Sequence, residues 1–80
     1  PPVDKRKRKA QLVKFGKRLS ELRQKKGFSF RELAAQCNVD HSDIAKYENG
    51  EKNLTFHTML ELASGLGVHP KELFDYDFDL

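Results

Sequence analysis

The sequence predicts a compact all-α domain of five helices with no sheet. Apolar residues recur at steps of three and four along most of the chain, which is the spacing of one helix face. No segment keeps the alternation of apolar and polar residues that is typical of a half-buried strand. Eighty residues indicate a single domain. We expect a basic arm over residues 1–9, a folded domain over residues 10–75 and a tail over residues 76–80.

The arm contains five consecutive cations. They are Lys5, Arg6, Lys7, Arg8 and Lys9. Five like charges repel one another, so we expect the arm to be mobile in the free protein. The first helix is predicted from Ala10 and ends before Gly27, a common residue after a helix C-terminus. Its apolar stripe consists of Leu12, Phe15, Leu19 and Leu22.

The second and third helices are predicted from their caps. Ser29 and Glu32 have the spacing of a capping box, in which each side chain accepts from the other residue's backbone amide. Asn38 is expected in a left-handed conformation in a tight turn, and Asp40 caps the third helix. The expected inward positions are Leu33, Ala34 and Cys37, then Ile44 and Tyr47.

Thr55 is expected to cap the fourth helix. The fifth helix is expected to begin at Pro70, because proline suits the first position of a helix. Gly67 separates them. The expected inward positions are Phe56, Met59, Leu60, Ala63 and Leu66, with Leu73 and Phe74 packing back on the core. The tail alternates acidic and apolar residues, and we expect it to lack fixed structure unless a partner surface orders it.

Charge is distributed unevenly along the chain. Residues 1–26 carry eleven cations and two acids, a net charge of +9, whereas residues 27–80 carry four cations and ten acids, a net charge of −6. A basic end on a small domain indicates a polyanionic partner, with nucleic acid first and an anionic membrane surface second. A solvated lysine-rich helix face would produce the same asymmetry.

Other chemistries find no support in the sequence. The single cysteine, Cys37, excludes an internal disulfide, and it does not combine with His41, His57 and His69 in a metal-ligand spacing. There is no glycine-rich phosphate loop and no nucleophile with a matching base. We therefore expect no enzyme activity, no metal and no cofactor. No apolar segment approaches the length of a membrane span, and we expect a cytoplasmic protein that does not associate with membranes.

Helices two and three, joined by a short turn over residues 30–49, have the arrangement of a helix-turn-helix. Ala34 is small enough for the helices to touch, Asn38 lies in the turn, and Ile44 fills the core from the second of them. With the order of apolar positions from Phe15 to Phe74, the pattern resembles the Xre family, the lambda repressor or Cro-like helix-turn-helix proteins. The resemblance implies a lambda-repressor-like fold and a transcriptional regulator that binds double-stranded DNA sequence-specifically, as a homodimer on a palindromic operator.

In such proteins the third helix, here residues 41–49, enters the major groove, where base edges present distinct donors and acceptors. The resemblance therefore implies base contacts from His41, Ser42 and Lys46. Asp43 has three open interpretations: it accepts from a cytosine amino group, it pairs with Lys46, or it repels the DNA.

The resemblance also implies backbone contacts from the start of helix two and the loop after helix three. The candidates are Arg31, Asn49, Lys52 and Asn53, with Arg18 on helix one and the arm cations Lys5 to Lys9 as further candidates. Phe30 stands where the family often has glutamine, which removes one expected phosphate contact. The candidate dimer surface consists of Leu73, Phe74, Tyr76 and Phe78.

A second interpretation keeps the fold and changes the function. Asp43, Glu48 and Glu51 place negative charge near the expected DNA path, and repulsion there would favour a protein-interaction module. Such a module would be antitoxin-like or an adaptor. The sign of the charge on the face that carries helix three distinguishes the two interpretations.

Overall fold

The computed structural model describes all eighty residues and contains four α-helices followed by a short 3-10 helix. They are α1 (Lys5–Lys25), α2 (Phe30–Gln36), α3 (His41–Glu48), α4 (Phe56–Leu66) and the 3-10 helix Pro70–Phe74. The absence of a sheet confirms the all-helical prediction. A fifth α-helix does not form: the last element has only five residues, and the Glu72 amide donates to the His69 carbonyl three positions earlier, at 2.9 Å.

The predicted caps are present. Ser29 and Glu32 form both halves of the capping box at the start of α2. Asp40 accepts from the Ser42 amide at the start of α3, and Thr55 caps α4. Gly67 ends α4 with a φ of 68°, a left-handed conformation that side chains with a Cβ atom rarely adopt.

The first helix begins at Lys5 rather than near Ala10, so the predicted start of this helix is wrong. The Asp4 carboxylate caps the helix by accepting from the Lys7 amide at 2.9 Å. Lys9 donates from its Nζ to the carbonyl oxygen of Gly50 in the loop after α3. A cap and a distant acceptor thus hold the cationic segment in helical form despite the repulsion among its charges.

The turn between α2 and α3 also differs from the prediction. No residue other than glycine has a positive φ, so Asn38 is not left-handed. Its backbone amide instead donates to the Glu61 carboxylate of α4, at 3.2 Å. The chain turns in an extended conformation that α4 supports, and the turn needs no left-handed residue.

Eleven buried apolar residues from all the helical elements form one core. Leu62, Met59 and Leu66 provide the buried stripe of α4 together with Ala63. The expected inward position of Phe56 and Leu60 is wrong, because their side chains are 73% and 43% exposed. The stripe is rotated toward Leu62, which leaves these two residues at its edge.

The backbones of α1 and α3 lie very close together where these two helices cross. Gly16 lies against the last turn of α3, where a Cβ atom would come within 2.6 Å of the Tyr47 carbonyl oxygen. Only glycine allows the two backbones to approach this closely.

None of the helices combines the length and the apolar character needed to cross a bilayer.

Candidate nucleic-acid interface

The third helix is fixed to the core by its rear face. Ile44 is fully buried and Tyr47 is 5% exposed. They lie three positions apart and therefore on one side of the helix. The eight residues of α3 follow a four-residue turn after α2, which is the arrangement expected of a helix-turn-helix.

An ion pair between α1 and α3 fixes the C-terminal end of α3. Arg23 donates from Nε to Glu48 Oε2 at 2.6 Å and from Nη2 to Oε1 at 3.0 Å. It also donates to the Phe28 carbonyl at 2.8 Å and lies 4.3 Å from the centre of the Phe30 ring. One side chain therefore joins α1, the entry to α2 and the end of α3.

This ion pair corrects the expected role of Glu48. Its side chain is 7% exposed, so it does not lie on the DNA path. The hydrogen bond to Glu48 raises the pKa of Arg23, which remains charged. Local sequence patterns do not predict this pair, because its members are 25 positions apart and lie on different helices.

The outer face of α3 is polar and only partly engaged. Ser42 and Lys46 are exposed, and their side chains make no hydrogen bond or ion pair within the chain. His41 is half-buried, with Nδ1 3.1 Å from the Asp40 carboxylate. The structure therefore brings His41, Ser42 and Lys46 together on the first two turns of one helix, and two of them remain free to bind.

Asp43 forms an ion pair with Lys52 at 3.0 Å, and not with Lys46 as one interpretation proposed. Lys52 comes from the loop after α3, and its Nζ lies 5.7 Å from the centre of the Tyr47 ring. The hydrogen bond that Lys52 donates to the Asp43 carboxylate is the largest cause of the raised pKa of Lys52. The loop thereby neutralises the one acid on the outer face of α3.

The residues expected to contact phosphate differ in whether their side chains already have partners within the chain. Arg31 and Asn49 are exposed without partners within the chain, whereas Lys52 is held by Asp43. Asn53 lies at the rim of an apolar groove between the start of α1 and the tail. Phe30 is partly buried and packs against the core.

Arg18 is not a candidate for phosphate contact. Its guanidinium donates to the Glu72 carbonyl at 2.7 Å and to the Glu72 carboxylate at 3.1 Å. The Glu21 and Asp75 carboxylates lie within 4.0 Å. Three surrounding acids satisfy its charge and would repel a phosphate.

The candidate dimer surface also changes. Leu73 is fully buried and belongs to the core. Phe74, 37% exposed, packs on Phe15 with ring centres 5.5 Å apart, and Phe78 is 48% exposed. With Leu73 buried, Phe56 and Leu60 at the start of α4 provide the additional exposed apolar surface.

A short helix that is buried behind, polar in front and preceded by a turn and a packed helix defines the helix-turn-helix class of DNA-binding domains. Residues 19–73 match the model of the helix-turn-helix family. The chain belongs to this family, in its lambda repressor and Cro-like form.

Individual relatives agree with this assignment. Control protein C.MunI from a Mycoplasma species is 33% identical over 63 residues, which cover 78% of this chain and 85% of that protein. The restriction-modification controller protein C.AhdI from Aeromonas hydrophila has 44% identity and a TM-score of 0.80 over 82% of this chain and 96% of that chain. The C.Esp1396I tetramer, solved in complex with its natural 35 base-pair operator, has 28% identity and a TM-score of 0.75, covering 81% and 86% of the respective chains.

Proposed function

We propose that this chain is a transcriptional regulator of the controller-protein type, which binds an operator with α3 in the major groove. The observation that carries the proposal is the division of α3 into two faces. Ile44 and Tyr47 fix the rear face, while Ser42 and Lys46 stand on the front face without partners. A helix held in this way presents polar groups to base edges at little cost in reorganisation.

Each front-face residue has a role that its chemistry permits. Lys46 donates to the guanine acceptors O6 and N7, and Ser42 donates or accepts. His41 Nδ1 lies 3.1 Å from the Asp40 carboxylate, and a ring with its proton on Nδ1 and none on Nε2 has Nε2 as an acceptor for an amino group. Asp43, with its charge balanced by Lys52, keeps lone pairs for a cytosine amino group.

Phosphate contacts surround this face. Arg31 at the start of α2 and Asn49 at the end of α3 are free to donate. The contact of Lys9 with Gly50 brings the basic start of α1 beside the loop after α3, and Lys5 and Arg6 extend that surface. These contacts fix the orientation of the domain on the duplex and carry no base information directly.

A homodimer places two recognition helices on one operator. Half-sites one helical turn apart, about 34–36 Å, suit two copies related by a two-fold axis. Phe56 and Leu60, with Phe74, supply exposed apolar side chains for the contact between copies. The C.Esp1396I structure, a tetramer on its operator, supports this assembly of copies on DNA.

The interpretation as a protein-interaction module loses its main support. It depended on acids near the expected DNA path, but the Glu48 side chain is 7% exposed and paired with Arg23, and Asp43 is paired with Lys52. Only Glu51 remains as an exposed acid in that region without a partner.

Selection of binding sites from a random duplex pool tests the proposal. We expect a two-fold symmetric sequence that binds about 10³-fold or more tighter than random duplex at the same salt concentration. Equal affinity for selected and random duplex, or no binding to either, would refute an operator-binding function.

A further inference from the structure

The C-terminal tail, residues 76–80, lies along the basic half of α1. Lys14 donates from Nζ to the Asp77 carbonyl at 2.8 Å, and Gln11 donates to the Asp79 carbonyl at 3.4 Å. Lys7 lies 3.8 Å from the Asp79 carboxylate. Both segments fall outside residues 19–73, which match the family model.

The alternation of the tail explains how it is held. Tyr76, Phe78 and Leu80 line an apolar groove together with Leu12 and Phe15 of α1. The Tyr76 and Phe78 rings stack with centres 4.5 Å apart. Burial in this groove raises the pKa of the Tyr76 hydroxyl. Tyr76 is partly buried against the core, which keeps Asp77 and Asp79 near the cations of α1.

The tail engages one face of α1 only. Lys7, Gln11 and Lys14 follow one another at helical spacing and contact the tail. Lys9 and Val13 lie on another face, against Gly50 in the loop after α3. The tail thus contacts two cations of the basic helix, Lys7 and Lys14, and does not contact Lys9, which lies toward the candidate DNA interface.

We propose that the tail is an intramolecular strap that limits the sequence-independent part of DNA binding. The inference rests on the proposed function, since it concerns how the same chain discriminates between operator and other DNA. Lys7 and Lys14 are kept from phosphate while the strap is seated. Because phosphate contacts strengthen binding to any duplex, their restriction raises the ratio of operator to random affinity.

Truncation before Tyr76 tests the strap against a charge-matched control. Deleting residues 76–80 removes the Asp77 and Asp79 carboxylates together with the apolar anchors. The double variant Asp77→Asn and Asp79→Asn removes the same two charges and keeps the apolar side chains of Tyr76, Phe78 and Leu80. Affinity for random duplex and for the selected operator is measured for both variants and the full chain, between 50 and 200 mM salt.

The strap predicts that truncation steepens the salt dependence on random duplex by about 0.9 for each freed lysine, or about 2 in total. The gain of the truncated chain over the full chain then shrinks about tenfold between 50 and 200 mM salt. The double Asn variant steepens the salt dependence on random duplex less than truncation does. The ratio of operator affinity to random-duplex affinity falls in the truncated chain. Equal slopes for the truncated and Asn variants would overturn the strap, because net charge alone would explain the gain.

Two further measurements keep the result unambiguous. Tyr76→Ser with Phe78→Ser releases the tail at unchanged net charge, and it is expected to steepen the slope as truncation does. An unchanged slope, with the tail amides shown by hydrogen exchange to be released, would overturn the strap even if the truncated chain does not fold. If the full chain binds DNA and all variants match it, only the strap is wrong. If the full chain binds no duplex, the proposed function is wrong as well.

Discussion

Replacing Glu48 by glutamine tests how α3 is held in place. The substitution keeps the shape of the side chain, but it removes the negative charge opposite Arg23 and puts an amide N–H₂ where one carboxylate oxygen accepted. Two hydrogen bonds, at 2.6 and 3.0 Å, depend on those oxygens. One guanidinium N–H loses its acceptor in a site where the two side chains are only 12% and 7% exposed.

The expected loss of stability follows from that burial. Removing one partner of a buried ion pair costs roughly 3–5 kcal/mol. Arg23 keeps its bond to the Phe28 carbonyl and its contact with the Phe30 ring, so the low end, about 3 kcal/mol, applies. For a domain of this size, each kcal/mol lowers Tm by about 4–8 °C, which predicts a fall of roughly 12–24 °C.

Urea denaturation of the parent and the variant measures the difference in the free energy of unfolding. Glu72→Gln is the matched control, because Glu72 makes a similar contact with Arg18 but is 38% exposed. We expect the control to lose no more than about 1 kcal/mol. A Glu48→Gln loss as small as that of the control would show that the ion pair does not anchor α3.

Three further predictions concern the fold around the interface. Gly16→Ala is expected to unfold the domain or cost at least about 3 kcal/mol in unfolding free energy, because the new methyl group meets the α3 backbone; a loss below 1 kcal/mol by urea denaturation would contradict the close crossing. Thr55→Ala is expected to cost about 1 kcal/mol through loss of the α4 cap, and no change in thermal unfolding would contradict it. Backbone amides lower the pKa values of Glu32 and Asp40 below their ordinary 4.5 and 3.8, so their stabilisation is present above those values and is lost as pH falls through the lowered pKa values. Glu32→Gln with Asp40→Asn keeps both caps and should weaken the acid dependence of stability, and an unchanged dependence would contradict the assignment.

Local signals predicted the helices well because caps and apolar spacing act over three or four residues. The capping box of Ser29 and Glu32, the cap at Asp40 and the stop at Gly67 all depend on neighbouring backbone groups. The predicted start of α1 was wrong because the prediction considered only the repulsion among the cations. Folding brings an acceptor for Lys9, the Gly50 carbonyl, from 41 positions away.

Side-chain pairs between different elements could not be predicted from the sequence, because folding brings together residues that are far apart along the chain. The spacing of Asp43 and Lys46 suggested a helical ion pair, but the loop after α3 folds back and brings Lys52 to Asp43. Leu73 was assigned both to the core and to a surface patch with the aromatic residues that follow it, and the packing of the last helical element shows that the core assignment is the right one. The front face of α3 was predictable because its neighbours on the rear face, chiefly Ile44, had to be apolar.

The most direct test of the account is the effect of Lys46→Ala on two DNAs, the selected operator and random duplex. Lys46 is exposed and has no partner within the chain, so its loss leaves the fold unchanged and removes only what it contacts on DNA. We expect operator binding to weaken by about 1–3 kcal/mol with the base preference relaxed at one position, while random binding changes far less. An equal loss on both duplexes would place Lys46 on phosphate, and no loss on either would place α3 outside the major groove.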